Sequence, residues 1–165
     1  GFFELNTMIA AMGIFYGGLA QVIVGIMEWK KNNTFGTVAF TSYGLFWLTL
    51  VAIWFIPGGE KVQKTSAAGM ASYLALWGIF TAFLFVATFK LNRALQIVFG
   101  LVVLLFLLLT LAYATHANEH LSHIFHTAAG FEGILCGAAA LYTGMAQVIN
   151  EYYGRIVLPI DKKRS

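Results

Sequence analysis

The sequence predicts an all-α fold, a polytopic helical membrane protein. Three observations carry that reading. Of 165 residues, 59% are hydrophobic and 10% charged, where soluble chains carry about a quarter charged. The apolar residues fall into five long runs, and the cations collect between the runs and in the tail. The net charge of +3 therefore bears on orientation in a membrane rather than on binding nucleic acid. A single cysteine, Cys136, cannot close an internal disulfide, and its apolar flanks mark it as a small buried hydrophobe. The opening GFFELN lacks the cationic region of a cleavable signal peptide.

The runs cover about 5–29, 36–56, 67–89, 92–115 and 122–150, with a tail over 151–165, all in a single transmembrane domain. At about 1.5 Å per residue each spans the roughly 30 Å of hydrocarbon in a bilayer. The first is stopped by Glu28-Trp29-Lys30-Lys31, an aromatic and two cations at a membrane boundary. Within it, Gly13 and Gly17 stand four apart and offer a smooth face to another helix. Gln21, a polar amide in the same run, must face protein or internal water.

The second run is the richest in hydroxyls, with Thr41, Ser42, Tyr43 and Thr49. Ser42 and Thr49 are seven apart and share a helical face. Such hydroxyls either line a polar path or simply bond their own backbone. Pro57-Gly58-Gly59 ends this run, and Lys90 to Arg93 separates the third from the fourth.

His116, His120, His123 and His126 precede the last run. On one continuous helix the first three would share a face suited to a transition metal, which makes them weak metal candidates. A connection between two spans reads instead as a solvated loop or a pH-responsive mouth. No cofactor is expected.

Glu132 is the acid placed clearly within an apolar run. A charge there costs about 2.5–3.5 kcal/mol on insertion scales, so it is protonated, paired or wet. Three readings stay open: a proton-coupling carboxyl, a wall of an outer vestibule, or a structural acid between helices. Glu28 and Glu151, beside cations at helix ends, read as interfacial. Gly133, Gly137, Ala140 and Gly144 give the last run a smooth seam like that of the first.

Alternate connections carry very different charge. Lys30, Lys31, Lys90, Arg93, Arg155, Lys162, Lys163 and Arg164 fall on one side and only Lys61 and Lys64 on the other. Eight against two places the first set, and the C-terminus, in the cytoplasm. The chain also repeats itself: YGGLAQVI at 16–23 returns as YTGMAQVI at 142–149, six identities in eight. Ser42-Tyr43 with Trp47 returns as Ser72-Tyr73 with Trp77 on oppositely directed runs, a hint of inverted symmetry. The repeat pairs Gln21 with Gln147. Amides donate to a carboxylate, which only accepts when ionised, and hold it more weakly than a buried cation would, so an ion can leave again. The alternative is that both amides merely bond neighbouring helices.

At the level of motifs, AMGIFYGGLAQ, EWKKNNTFG, FTSYGLFWLTLVAI and, near the end, GILCGAAALYTGMAQVINEYYGRIVLPI resemble the acetate uptake transporter family of bacterial and archaeal succinate/acetate permeases and their fungal relatives. The resemblance implies passage of acetate, and of other short carboxylates such as succinate, across the cell membrane, either channel-like or proton-coupled, by a path inside each protomer of a homohexamer. It implies a sixth helix with an NPAPLGL signature ahead of Gly1, and a chain that starts part-way through the family fold. It also implies a constriction at Tyr43 and Val102, where Val stands for the family's Leu and widens the neck. Glu132 has no family role to inherit. Transport rather than catalysis is the reading. The rivals are a membrane-embedded metal or haem subunit using the His116–His126 cluster, and a passive scaffold.

Overall fold

Each helix starts where the sequence supplies a short polar side chain. The computed structural model describes residues 5–160. Its helices are α1 (Thr7–Lys30), α2 (Thr34–Phe55), α3 (Ala67–Thr88), α4 (Arg93–Ala114) and α5 (Glu119–Tyr153), all long and apolar enough to cross a membrane. Asn6, Asn33, Ser66, Asn92 and Asn118 precede them. Each side-chain oxygen accepts from the backbone N–H three residues on, at 2.8–3.1 Å, satisfying a donor that the helix cannot. No strand occurs among the described residues. Gly1 and the tail cations Lys162, Lys163 and Arg164, used above for orientation, lie outside the described residues.

The packing forms two compact units, Gly1–Thr65 and Ser66–Ser165. In the first, α1 lies against α2. Its middle, Met12–Ala20, is wound as a π-helix between α-helical ends, a wider winding that the sequence did not announce. The glycines there explain how close the two helices come. A Cβ on Gly13 would stand 2.9 Å from Val51, and one on Gly17 2.9 Å from Trp47. The tightest point is one residue on: a Cβ on Gly18 would sit 2.6 Å from Leu48, and one on Gly44 2.7 Å from the Gly18 carbonyl oxygen. Backbone thus meets backbone at Gly18 and Gly44, which only small residues permit.

The turn into α2 is tied by Glu28. It accepts from the Asn33 amide at 2.5 Å and from Lys31 Nζ at 3.3 Å. Asn32 carries the positive φ of 55° that the reversal needs.

In the second unit α4 packs between α3 and α5. Gln96 Nε2 donates to the Thr88 carbonyl at 3.3 Å, linking α4 to α3, and Phe106 lies over Gly78. Ser122 Oγ donates to the Ala112 carbonyl at 2.9 Å, linking α5 to α4, and Leu105 lies over Gly133. The wholly buried positions are small or hydroxyl-bearing, among them Thr81, Thr88, Ala112 and Ala146. Large apolar side chains such as Leu76, Phe83, Leu107 and Leu141 stay exposed. Small or hydroxyl-bearing residues at the tightest positions, with many large side chains facing out, are how helices associate when the surroundings are as apolar as the core.

One expectation is corrected at α5. It begins at Glu119, so His120, His123 and His126 are helical rather than part of a solvated loop, because Asn118 caps the helix early. It also runs 35 residues, to Tyr153, about 50 Å at 1.5 Å per residue and well beyond one bilayer core. The chain leaves it through Gly154 at φ 60°, a left-handed cap suited to glycine.

Candidate functional site

The polar side chains at membrane depth divide into those that spend their hydrogen bonds locally and those that do not. Thr41 Oγ1 donates to the Thr37 carbonyl, and Thr49 Oγ1 to the Phe46 carbonyl at 3.0 Å. On α3 and α5, Ser72, Thr81 and Thr143 make the same bond to the carbonyl four residues back. Those hydroxyls are satisfied by their own helix, with lone pairs left over to accept.

Thr41 also lies against α1, where a Cβ on Gly25 would be 2.7 Å from its Oγ1. Together with Gly25, Ile26, Trp29 and Thr37 it lines an open groove of about 200 Å³. Ser42 and Tyr43 are half-buried on α2, and Gln21 is half-buried on α1 just past the π-helical stretch. The first unit therefore gathers five of the singled-out residues on one pair of helices. Gln147 is exposed on α5 and Val102 half-buried on α4, both in the second unit.

Glu132 is the anomaly. It is only 6% exposed, and neither carboxylate oxygen has a hydrogen-bond partner among the described residues. It occupies the inward row of α5 with Ser122, Ala129, Cys136, Thr143 and Ala146, at spacings of three, four and seven. Cys136 is a free, buried thiol. Thr110 on α4 has the other buried oxygen without a partner among the described residues.

The histidines are not gathered as ligands. Among the described residues no three His, Cys, Asp or Glu stand together as a metal would need. His126, exposed on α5, spends its contacts locally instead: its Nδ1 lies 3.1 Å from the Ser122 carbonyl, and its ring meets Tyr113 edge-on at 5.3 Å. A metal or haem role for the cluster has no geometric support.

Sequence reasoning missed the fold-back of the tail. Asn150 Oδ1 accepts from the N–H groups of Val157 and Leu158 at 2.7 and 2.9 Å, and its Nδ2 donates to the Leu158 carbonyl at 2.7 Å. Tyr142 donates to the Pro159 carbonyl at 2.9 Å. Pro159 and Ile160 thereby close one side of a groove of about 260 Å³ with Arg93, Ile97, Tyr142 and Thr143. A glycine at 154 followed by a proline five residues on was the available signal.

Among the described residues, five membrane-length helices with uncharged polar groups and one acid at depth without a hydrogen-bond partner define a multi-pass helical membrane protein. The chain belongs to the GPR1/FUN34/yaaH family, whose model matches residues 3–160. It is 49% identical over 162 residues to the succinate-acetate/proton symporter SatP of Escherichia coli strain K12, covering 98% of this chain and 84% of that one. Acetate permease A of Emericella nidulans is 30% identical over 166 residues, 93% of this chain and 55% of that protein. Among solved structures, the bacterial acetate channel SatP superposes with a TM-score of 0.89 at 49% identity, over 97% of this chain and 86% of that one.

Proposed function

We propose that the protein passes acetate, and short carboxylates such as succinate, across the cell membrane. The observation that carries this reading is the kinship just described: 49% identity and a TM-score of 0.89 to an acetate channel over 97% of the chain. Acetate is largely ionised at neutral pH, since carboxyl pKa values lie near 4, so it needs a polar path. Gln21, Thr41, Ser42, Tyr43, Thr49 and Gln147 are the residues we assign to that path, and Tyr43 and Val102 those we assign, by the family resemblance, to its neck. Residues 1–165 act as one transmembrane domain of a transporter, not an enzyme, in the plasma membrane, with the C-terminus cytoplasmic. The protomers assemble as a homo-oligomer, six by family resemblance.

The test is uptake of labelled acetate into vesicles containing the purified protein. Flux well above empty vesicles is expected. Tyr43→Ala should admit succinate faster relative to acetate by opening the neck. Vesicles no leakier to acetate than empty ones would overturn the reading.

A further inference from the structure

Two contacts fix how α5 lies along α4. Ser122 bonds the Ala112 carbonyl, and Leu105 covers Gly133, with the helices antiparallel. As one chain advances the other retreats, so Val102 of α4 stands at the depth of Glu132 and Cys136 on α5. The carboxyl without a partner and the residue assigned to the neck thus occupy one level of the same unit.

Little at that level can steady a charge. Cys136, one turn further along α5, is the nearest titratable group on that helix. On α4, the helix packed against it, only Arg93 at the start and Tyr113 near the end are charged or titratable, and residues 94–112 carry neither. Tyr73 is the one titratable group of α3, which packs against α4. Burial without hydrogen bonds disfavours an ionised carboxylate far more than a neutral acid.

We infer that Glu132 is a proton-binding site at the depth of the neck, and that its proton occupancy sets how readily a carboxylate anion passes Val102. This inference rests on the transport reading above. With the proton on, the α4–α5 seam is neutral. When the proton leaves to water, the carboxylate places a negative charge in a medium of low dielectric beside the route of another anion, and repels it. Passage is thus fast with Glu132 neutral and slow with it ionised. Only a proton moves, from solvent to a Glu132 oxygen and back.

The experiment compares initial acetate flux in vesicles across a pH series, with the concentration of acetate anion held constant. Wild-type flux should fall as pH rises through the titration, by up to about tenfold per pH unit, the limit for one proton. Glu132→Gln, neutral at every pH, should hold the high flux and flatten the profile. Glu132→Asp, still titratable, should keep a profile displaced along the pH axis. Infrared difference spectra of wild type against Glu132→Gln should show a neutral carboxyl band at low pH that disappears as pH rises.

A Glu132→Gln profile that follows wild type, or the absence of that carboxyl band, overturns the inference. If Glu132→Gln does not fold, an Asp profile identical to wild type overturns it and a displaced one sustains it. No wild-type flux at any pH would sink the transport reading instead, and the infrared band would still decide whether Glu132 binds a proton.

Discussion

The two copies of the repeat, residues 16–23 and 142–149, share six of eight side chains and have different surroundings. The first starts within the π-helical stretch of α1 and returns to α-helix at Gln21; the second is α-helical throughout. Gly18 is buried, with Leu48 where its Cβ would be, whereas its counterpart Gly144 has nothing within 4 Å. Gln21 is half-buried and Gln147 exposed. Tyr16 is 72% exposed, while Tyr142 reaches across to the Pro159 carbonyl. Near-identical sequence therefore leaves the winding of a helix open. In the first copy a neighbouring helix pressed against glycine accompanies the wider π winding.

The sharpest way to break this comparison is at the paired glycines. Gly18→Ala should lower stability by about 1–3 kcal/mol through overpacking against Leu48. Gly144→Ala should be neutral or stabilising by up to about 1 kcal/mol, since alanine is the better helix former. Unfolding midpoints in detergent read both. Equal damage at the two sites would mean that Gly144 is as tightly covered as Gly18 in the assembled protein.

The paired amides give a smaller effect. Replacing either Gln21 or Gln147 with Ala should lower acetate flux about two- to tenfold, as losing a hydrogen bond of about 0.5–1.5 kcal/mol implies. The half-buried Gln21 should lose more. Unchanged flux in both variants would leave the amides as packing groups only.

Smallest is the tyrosine pair. Tyr142→Phe removes the bond to Pro159 and should speed amide exchange at Val157 and Leu158 by several-fold, at a cost of about 0.5–1 kcal/mol. Tyr16→Phe should leave exchange in that segment as it was. A tail that exchanges equally in both variants would assign its restraint to Asn150 alone.

Much of the candidate site was legible because lipid removes alternatives. An amide such as Gln21, or an acid such as Glu132, within a long apolar run has few places to be, so composition and spacing alone single it out. Hydroxyls were less legible: Thr41 and Thr49 bond their own helix, a choice that the sequence leaves open between backbone and path. The helical start at Glu119 and the Asn150 clamp escaped because each rests on one side chain meeting a backbone group, with no periodic pattern to betray it.

By itself the sequence determined that this chain is a set of membrane-crossing helices, where they punctuate, and which polar groups lie at depth, because hydrocarbon imposes those features on any chain that enters it. Tertiary structure alone decided that backbone meets backbone at Gly18 and Gly44, that α1 winds as a π-helix over nine residues, and that Glu132 lies in the inward row of α5 without a hydrogen-bond partner among the described residues. Those outcomes depend on which helix faces which and in what register, a matter of many small contacts summed over two surfaces.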